Sequence, residues 1–143
     1  MKFGTILAAV AGGLVMFLLG FLFFGILLAN FFAEYTVKYQ GLMKDPPEIS
    51  LIFLFNLVWA WLIAFVMEWS GISTITGGVK AGAAIMFALI LGVNLQYYAF
   101  MNLHTSIVPL VVDVLVVTVM GAVAGAVIAL VLGFFNKPKE AAE

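Results

Sequence analysis

The sequence predicts an all-α polytopic membrane protein, with four helices crossing a bilayer in an up-down-up-down bundle. Three observations carry that prediction. Four apolar stretches, Thr5 to Phe32, Ser50 to Met67, Val79 to Met101 and Ile107 to Phe135, each supply the roughly 17 to 25 apolar residues that an α-helix needs to cross about 30 Å of hydrocarbon. Hydrophobic residues make up 66% of the 143 and charged residues 9%, against about 25% charged in a soluble domain. The mean hydropathy of +1.25 leaves too little polar surface to clothe a water-soluble exterior. Helices are the required form because lipid offers no partner to a stray backbone N–H or C=O. A single transmembrane domain spanning residues 1–143 is expected, ending in a short polar tail at 136–143.

The first span begins after Lys2, and Ile6–Val10 has the flavour of a signal peptide. A signal core is only about 7 to 15 residues long, whereas this run continues well past that length with no small-residue cleavage pattern at the right distance, so a retained helix is expected. Beyond it, Glu34 and Lys38 stand at i,i+4 spacing and extend the helix into the interface. Gly41 is a stop, and Asp45-Pro46-Pro47-Glu48 breaks the chain and opens the second span. The second connection, Ser70 to Gly78, is turn-rich and uncharged. The third is Asn102-Leu103-His104-Thr105-Ser106, with Thr105 or Ser106 as N-cap and Pro109 in the first turn of the last helix. Links this short make consecutive spans antiparallel neighbours. The two halves of the chain share no spaced repeat.

Charge and chemistry exclude several functions. A net charge of −1 gives no basic footprint for nucleic acid. All six cationic side chains are lysines, so the bidentate guanidinium fork that clamps carboxylates and phosphates is missing. The absence of cysteine rules out disulfides, thiol redox chemistry, thiolate metal sites and haem attachment. His104 is the sole histidine, which argues against a protein metal site and for an interfacial role. Without a Ser-His-Asp set, phosphate loop, HExxH or deaminase signature, neither an enzyme nor a cofactor is expected. Four lysines (Lys2, Lys80, Lys137, Lys139) fall on the side holding both termini and two (Lys38, Lys44) on the other. The positive-inside rule then puts both termini in the cytoplasm.

Small residues mark candidate packing faces. Gly121, Gly125, Ala129 and Gly133 recur every four residues in the last span, and Ala84, Ala88 and Gly92 do so in the third. That spacing lets helix backbones approach closely, within one bundle or between copies.

Polar residues inside the spans are the candidate site. Asn56, Asn94 and Asp113 each lie about two turns inside the outer end of their span, roughly 10 Å deep, so three helices place a polar group at one level. Tyr97 and Tyr98 share the Asn94 face within about 60°, and Asn30 and Glu34 approach from the end of the first span. Two readings stay open. The three groups hydrogen-bond one another as glue, which in lipid is worth only about 0.6 kcal/mol per bond. Alternatively they form a substrate, proton or cation site, since an intramembrane carboxylate is a functional hypothesis by default and Asp113 is the one acid well inside a span. No lysine lies at that depth to form a permanent salt bridge. Trp69 suits the interfacial belt. Trp59 and Trp61, near the middle of the second span, either fill the core or line a pocket for a flat hydrophobic ligand.

Three features carry a resemblance: the aromatic-rich Gly20-Phe21-Leu22-Phe23-Phe24-Gly25, the run Gly77-Gly78-Val79-Lys80-Ala81-Gly82, and a polar-then-glycine last helix around Asp113 and Gly121. Over most of its length the chain resembles small bacterial four-helix membrane proteins grouped as a family of unknown function. Phe23-Phe24 stands where that family has a Trp-Tyr pair. The resemblance implies a multi-pass protein of a bacterial inner membrane and supplies no activity or site residues. The acidic residue in helix one of small multidrug transporters is missing, as are the cysteines of quinone-linked thiol oxidoreductases. Two functions follow as expectations. One is a small transporter or permeation subunit, a homo-oligomer binding its solute through Asp113, Asn56 and Asn94. The other is a scaffold or accessory subunit that assembles with itself or a larger membrane complex through its small-residue faces. The lipid bilayer is a partner in both.

Overall fold

Residues of low polarity run through each span, and in a computed structural model that describes residues 2–135 they form helices that alternate in direction. α1 covers Phe3–Gly20, α2 Ala29–Tyr35, α3 Ile49–Trp69, α4 Ile75–Phe100 and α5 Val108–Phe135, with a π-helical segment, Phe21–Leu27, directly after α1. Four helical segments, Phe3–Leu27, Ile49–Trp69, Ile75–Phe100 and Val108–Phe135, are long and apolar enough to cross a membrane. The chain is an all-α polytopic membrane protein. The polar tail expected at 136–143, with Lys137 and Lys139 of the lysine count, lies outside the described residues.

Local chemistry sets the ends. Thr74 caps α4 by accepting a hydrogen bond from the Gly77 N–H at 3.2 Å, so the third span starts at Ile75 rather than Val79 and the turn shrinks to Ser70–Thr74. Gly71 takes φ +68° and Gly41 φ +78°, backbone conformations that favour glycine. The N-cap position of α5 falls on Ile107, whose carbonyl accepts from the Val111 N–H at 3.3 Å, rather than on Thr105 or Ser106; Ser106 Oγ accepts from the Val108 N–H at 3.2 Å just ahead of it. Lys44 and Glu48 form an exposed ion pair ahead of α3.

The first span does not continue as one α-helix to Phe32. The Leu28 N–H reaches back to the Phe23 carbonyl at 2.7 Å, a bond of five residues that widens the turn, and Leu28 then leaves helical geometry at φ −111°, ψ 5°. α2 resumes beyond it and ends beside the third connection. There the Val37 N–H donates to Leu103 O and the Thr105 N–H to Tyr35 O, both at 2.9 Å, around an isolated antiparallel bridge between Thr36 and His104. At the opposite end the Lys2 N–H approaches Glu68 Oε1 at 3.4 Å, and Phe3 meets Phe135 edge to face with ring centroids 6.2 Å apart.

Packing departs from a simple ring of consecutive neighbours. α1 lies against both α3 and α5, α4 lies mainly on α5, and α3 and α4 touch only sparsely despite the short link between them. The reason is α1's inner face, built from Thr5, Ala8, Ala9, Gly12, Gly13 and Met16. Its small residues admit Ile128 of α5 and Ala60 of α3 beside Gly12, and Leu57 of α3 beside Gly13. Close packing of this kind replaces the hydrophobic drive that lipid removes.

The α4–α5 seam is tighter still. A Cβ built on Gly82 would collide with the Gly121 carbonyl oxygen, and one on Gly125 with the Gly78 carbonyl oxygen. Gly121, Gly125 and Ala129 are buried in this contact. The stripe expected on the third span is not. Ala84, Ala88 and Gly92 are exposed, with nothing within 4 Å of a Cβ at Gly92. The inward face of α4 is instead Gly78, Gly82 and Met86, turned about 120° from the expected one. The seam selects it because only glycine opposite glycine lets two carbonyls approach this closely. Large apolar side chains such as Leu54, Val58, Leu95, Leu115 and Val119 point outward along the spans, as lipid-facing positions require.

Candidate functional site

Asp113 enters the bundle from the second turn of α5, on the side facing α4. Asn94 Nδ2 donates to Asp113 Oδ2 at 2.6 Å and also to its own helix at Ile90 O, 3.0 Å away. A back-bond of this kind returns a polar side chain to the helix that carries it. Asn56 does the same on α3, with Nδ2 donating to Ile52 O at 2.8 Å, and it is 3% exposed. Asn56 therefore makes no bond to Asn94 or Asp113, and the expected three-way polar cluster is a two-residue pair with a separate neighbour. Asn56 finds its acceptor within its own helix and does not reach across the bundle, whereas Asn94 makes both bonds.

What unites Asp113 and Asn56 is space. Both line a cavity of about 540 Å³ between the spans. Its walls come from Met16, Phe17 and the π-helical segment on the first span, Ile52, Phe55 and Trp59 on α3, Met86 and Ile90 on α4, and Val117 and Met120 on α5. The wide π turn places Phe21, Phe24 and Gly25 in that wall. Asp113 faces this cavity with no ion pair of its own; among the described residues the sole salt bridge is the exposed Lys44–Glu48 pair.

The tyrosines go elsewhere. Tyr97 and Tyr98 are 50% and 49% exposed, and together with Asn94, Met101, Leu103, His104 and Leu110 they border a second cavity of about 30 Å³. The Asn94–Asp113 hydrogen bond thus stands between the two spaces, Asn94 facing the small one and Asp113 the large one. His104, expected at the interface, is half-buried here, and its Nδ1 is buried without a hydrogen-bond partner among the described residues. Asn30 and Glu34 lie on the exposed side of α2 and take no part in the large cavity.

The two mid-span indoles part company. Trp59 packs against the core and lines the large cavity, whereas Trp61, 43% exposed, stacks outward on Phe65 with centroids 5.7 Å apart. No cluster of three or more His, Cys, Asp or Glu side chains capable of holding a metal occurs among the described residues.

Fold and site together define a class: a small polytopic helical membrane protein with a carboxylate on the wall of an intramembrane cavity. No protein family, curated protein or solved structure matches the chain.

Proposed function

We propose that the chain is a small transporter or permeation subunit of a bacterial inner membrane, with both termini cytoplasmic and its solute or ion engaged by Asp113. The observation that carries this reading is the pairing of an intramembrane carboxylate, free of any salt bridge among the described residues, with a cavity large enough for a bound molecule. Asn94 positions the carboxylate through the 2.6 Å bond, and Asn56 adds a second polar group to the same wall. That the chain is not an enzyme is part of the same reading. The deciding experiment is flux through proteoliposomes under an imposed proton or cation gradient, comparing the natural chain with Asp113→Asn. Membership of the small four-helix family that the sequence resembles is part of the same proposal and adds no activity to it.

Orientation rests on the lysine bias. Reporter fusions after Glu143 and within 40–44 are expected to report opposite sides of the membrane, with the former cytoplasmic. A C-terminus on the outer side would place the Asp113 level near the cytoplasm.

The scaffold reading draws on one observation, the outward-facing Ala84, Ala88 and Gly92 with open space at Gly92. If copies meet on that face, Gly92→Leu reduces the oligomer size measured by native mass spectrometry while leaving each bundle folded. An unchanged mass removes the support.

A further inference from the structure

We propose that the large cavity takes a lipophilic organic cation, with Asp113 as its counter-charge; this rests on the permeation reading and names the ligand class of that same site. Size comes first. About 540 Å³ falls within the roughly 300 to 1,000 Å³ of pockets that bury drug-sized molecules. Charge then selects the sign. The wall holds one carboxylate and no lysine, so an anion meets no counter-charge, whereas a cation finds one at Asp113. A carboxylate facing an apolar space is either compensated by a cation or neutralised by a proton.

The rest of the wall separates an organic cation from an inorganic one. A hard metal cation such as calcium or magnesium needs about six or more oxygen ligands. Here the side-chain oxygens are those of Asp113 and Asn56 alone, set among aromatic rings and thioethers. Those same groups suit a diffuse positive charge on a hydrocarbon body. Phe17, Phe21, Phe24 and Trp59 put aromatic rings, the groups suited to cation–π contact, on the wall, and Met86 and Met120 offer soft, adaptable packing. A small, strongly hydrated polar solute would exchange its water for this apolar wall at a loss. Protons and the organic cation compete for the one carboxylate, so each displaces the other; His104, on the small cavity beyond Asn94, is the other ionisable side chain that acts on Asp113.

The test uses the full chain in nanodiscs of a zwitterionic lipid, with empty nanodiscs as blank. The probes are benzyltrimethylammonium and its uncharged carbon isostere, neopentylbenzene, read by equilibrium binding. Saturable binding of the ammonium is expected, weakened by acid, about tenfold or more weaker in Asp113→Asn, and roughly two- to thirtyfold weaker in Trp59→Leu. Neopentylbenzene should show no saturable site. Equal binding of both probes to the natural chain overturns the proposal without any variant, since the cavity then takes hydrocarbon, a lipid tail included. So does ammonium binding that Asp113→Asn leaves unchanged. Absence of ammonium binding alongside Asp113-dependent proton flux overturns the ligand class and keeps the permeation reading. Binding without flux upholds the ligand class and removes permeation.

Discussion

Gly125→Leu is expected to detach the third span from the bundle. The obstacle a Cβ would meet at this position is the Gly78 carbonyl oxygen, with the Gly82 Cα close behind at 3.1 Å. Backbone atoms of an opposing helix cannot rotate away as a side-chain tip can, so the helices themselves must separate. α4 has little else to hold it, because its contact with α3 is sparse. Overpacking a well-filled core costs about 1 to 3 kcal/mol, and a leucine set between two backbones belongs at or above the upper end of that range. Size-exclusion chromatography after graded heating in detergent measures the loss. Val119→Leu, on the same helix at a position 53% exposed, is the control and should melt with the natural chain. If Gly125→Leu melts with it too, the seam is not what holds α4 in place.

Asp113→Asn carries the largest expected effect on activity. The substitution keeps the size of the side chain and its capacity to hydrogen-bond Asn94 while removing its negative charge and its titration. Under the permeation reading, proton- or cation-coupled flux through proteoliposomes should fall to the level of empty vesicles, with expression and chromatographic behaviour intact. Under the scaffold reading the same change deletes a partly buried charge and should be neutral or mildly stabilising. Flux that persists in the variant sinks Asp113 as the coupling group. If neither form moves solute or ions, the permeation hypothesis loses its chief support.

The four spans were legible in the sequence because hydropathy alone forces them: a stretch such as Val108–Phe135 has no other stable home in a membrane protein. The shared depth of Asn94 and Asp113 was legible too, since counting residues along antiparallel helices gives their height, and the two residues do meet. Rotation was harder. Ala84-Ala88-Gly92 and Gly78-Gly82 carry the same four-residue period, and only the partner helix decides which stripe turns inward. Asn56 illustrates a related limit, for its depth is right but its amide is satisfied one turn back along its own helix. The small face of α1, Ala8-Ala9 and Gly12-Gly13, was not among the faces the sequence singled out, and nothing in those residues says that two helices will share it. The π turn left no signal at all, because Phe21-Leu22-Phe23-Phe24-Gly25-Ile26-Leu27 reads as ordinary apolar helix. Those rings nonetheless supply part of the cavity wall.

That turn also bears on how the chain tolerates changes in its own length. A π turn is an α-helix carrying one surplus residue, taken up locally so that the helix on either side keeps its facing. Deleting a single residue between Phe21 and Leu27 is therefore expected to return the segment to α geometry and to leave α1 facing as before. The same deletion beside Gly12 would swing everything on one side of it by about 100° and turn half of the small face of α1 towards lipid. Among the described residues of the first span, the π-helical stretch, which supplies part of the cavity wall, is thus also the one with a residue to spare. A one-residue deletion there is expected to reshape the cavity while α1 keeps its place in the bundle.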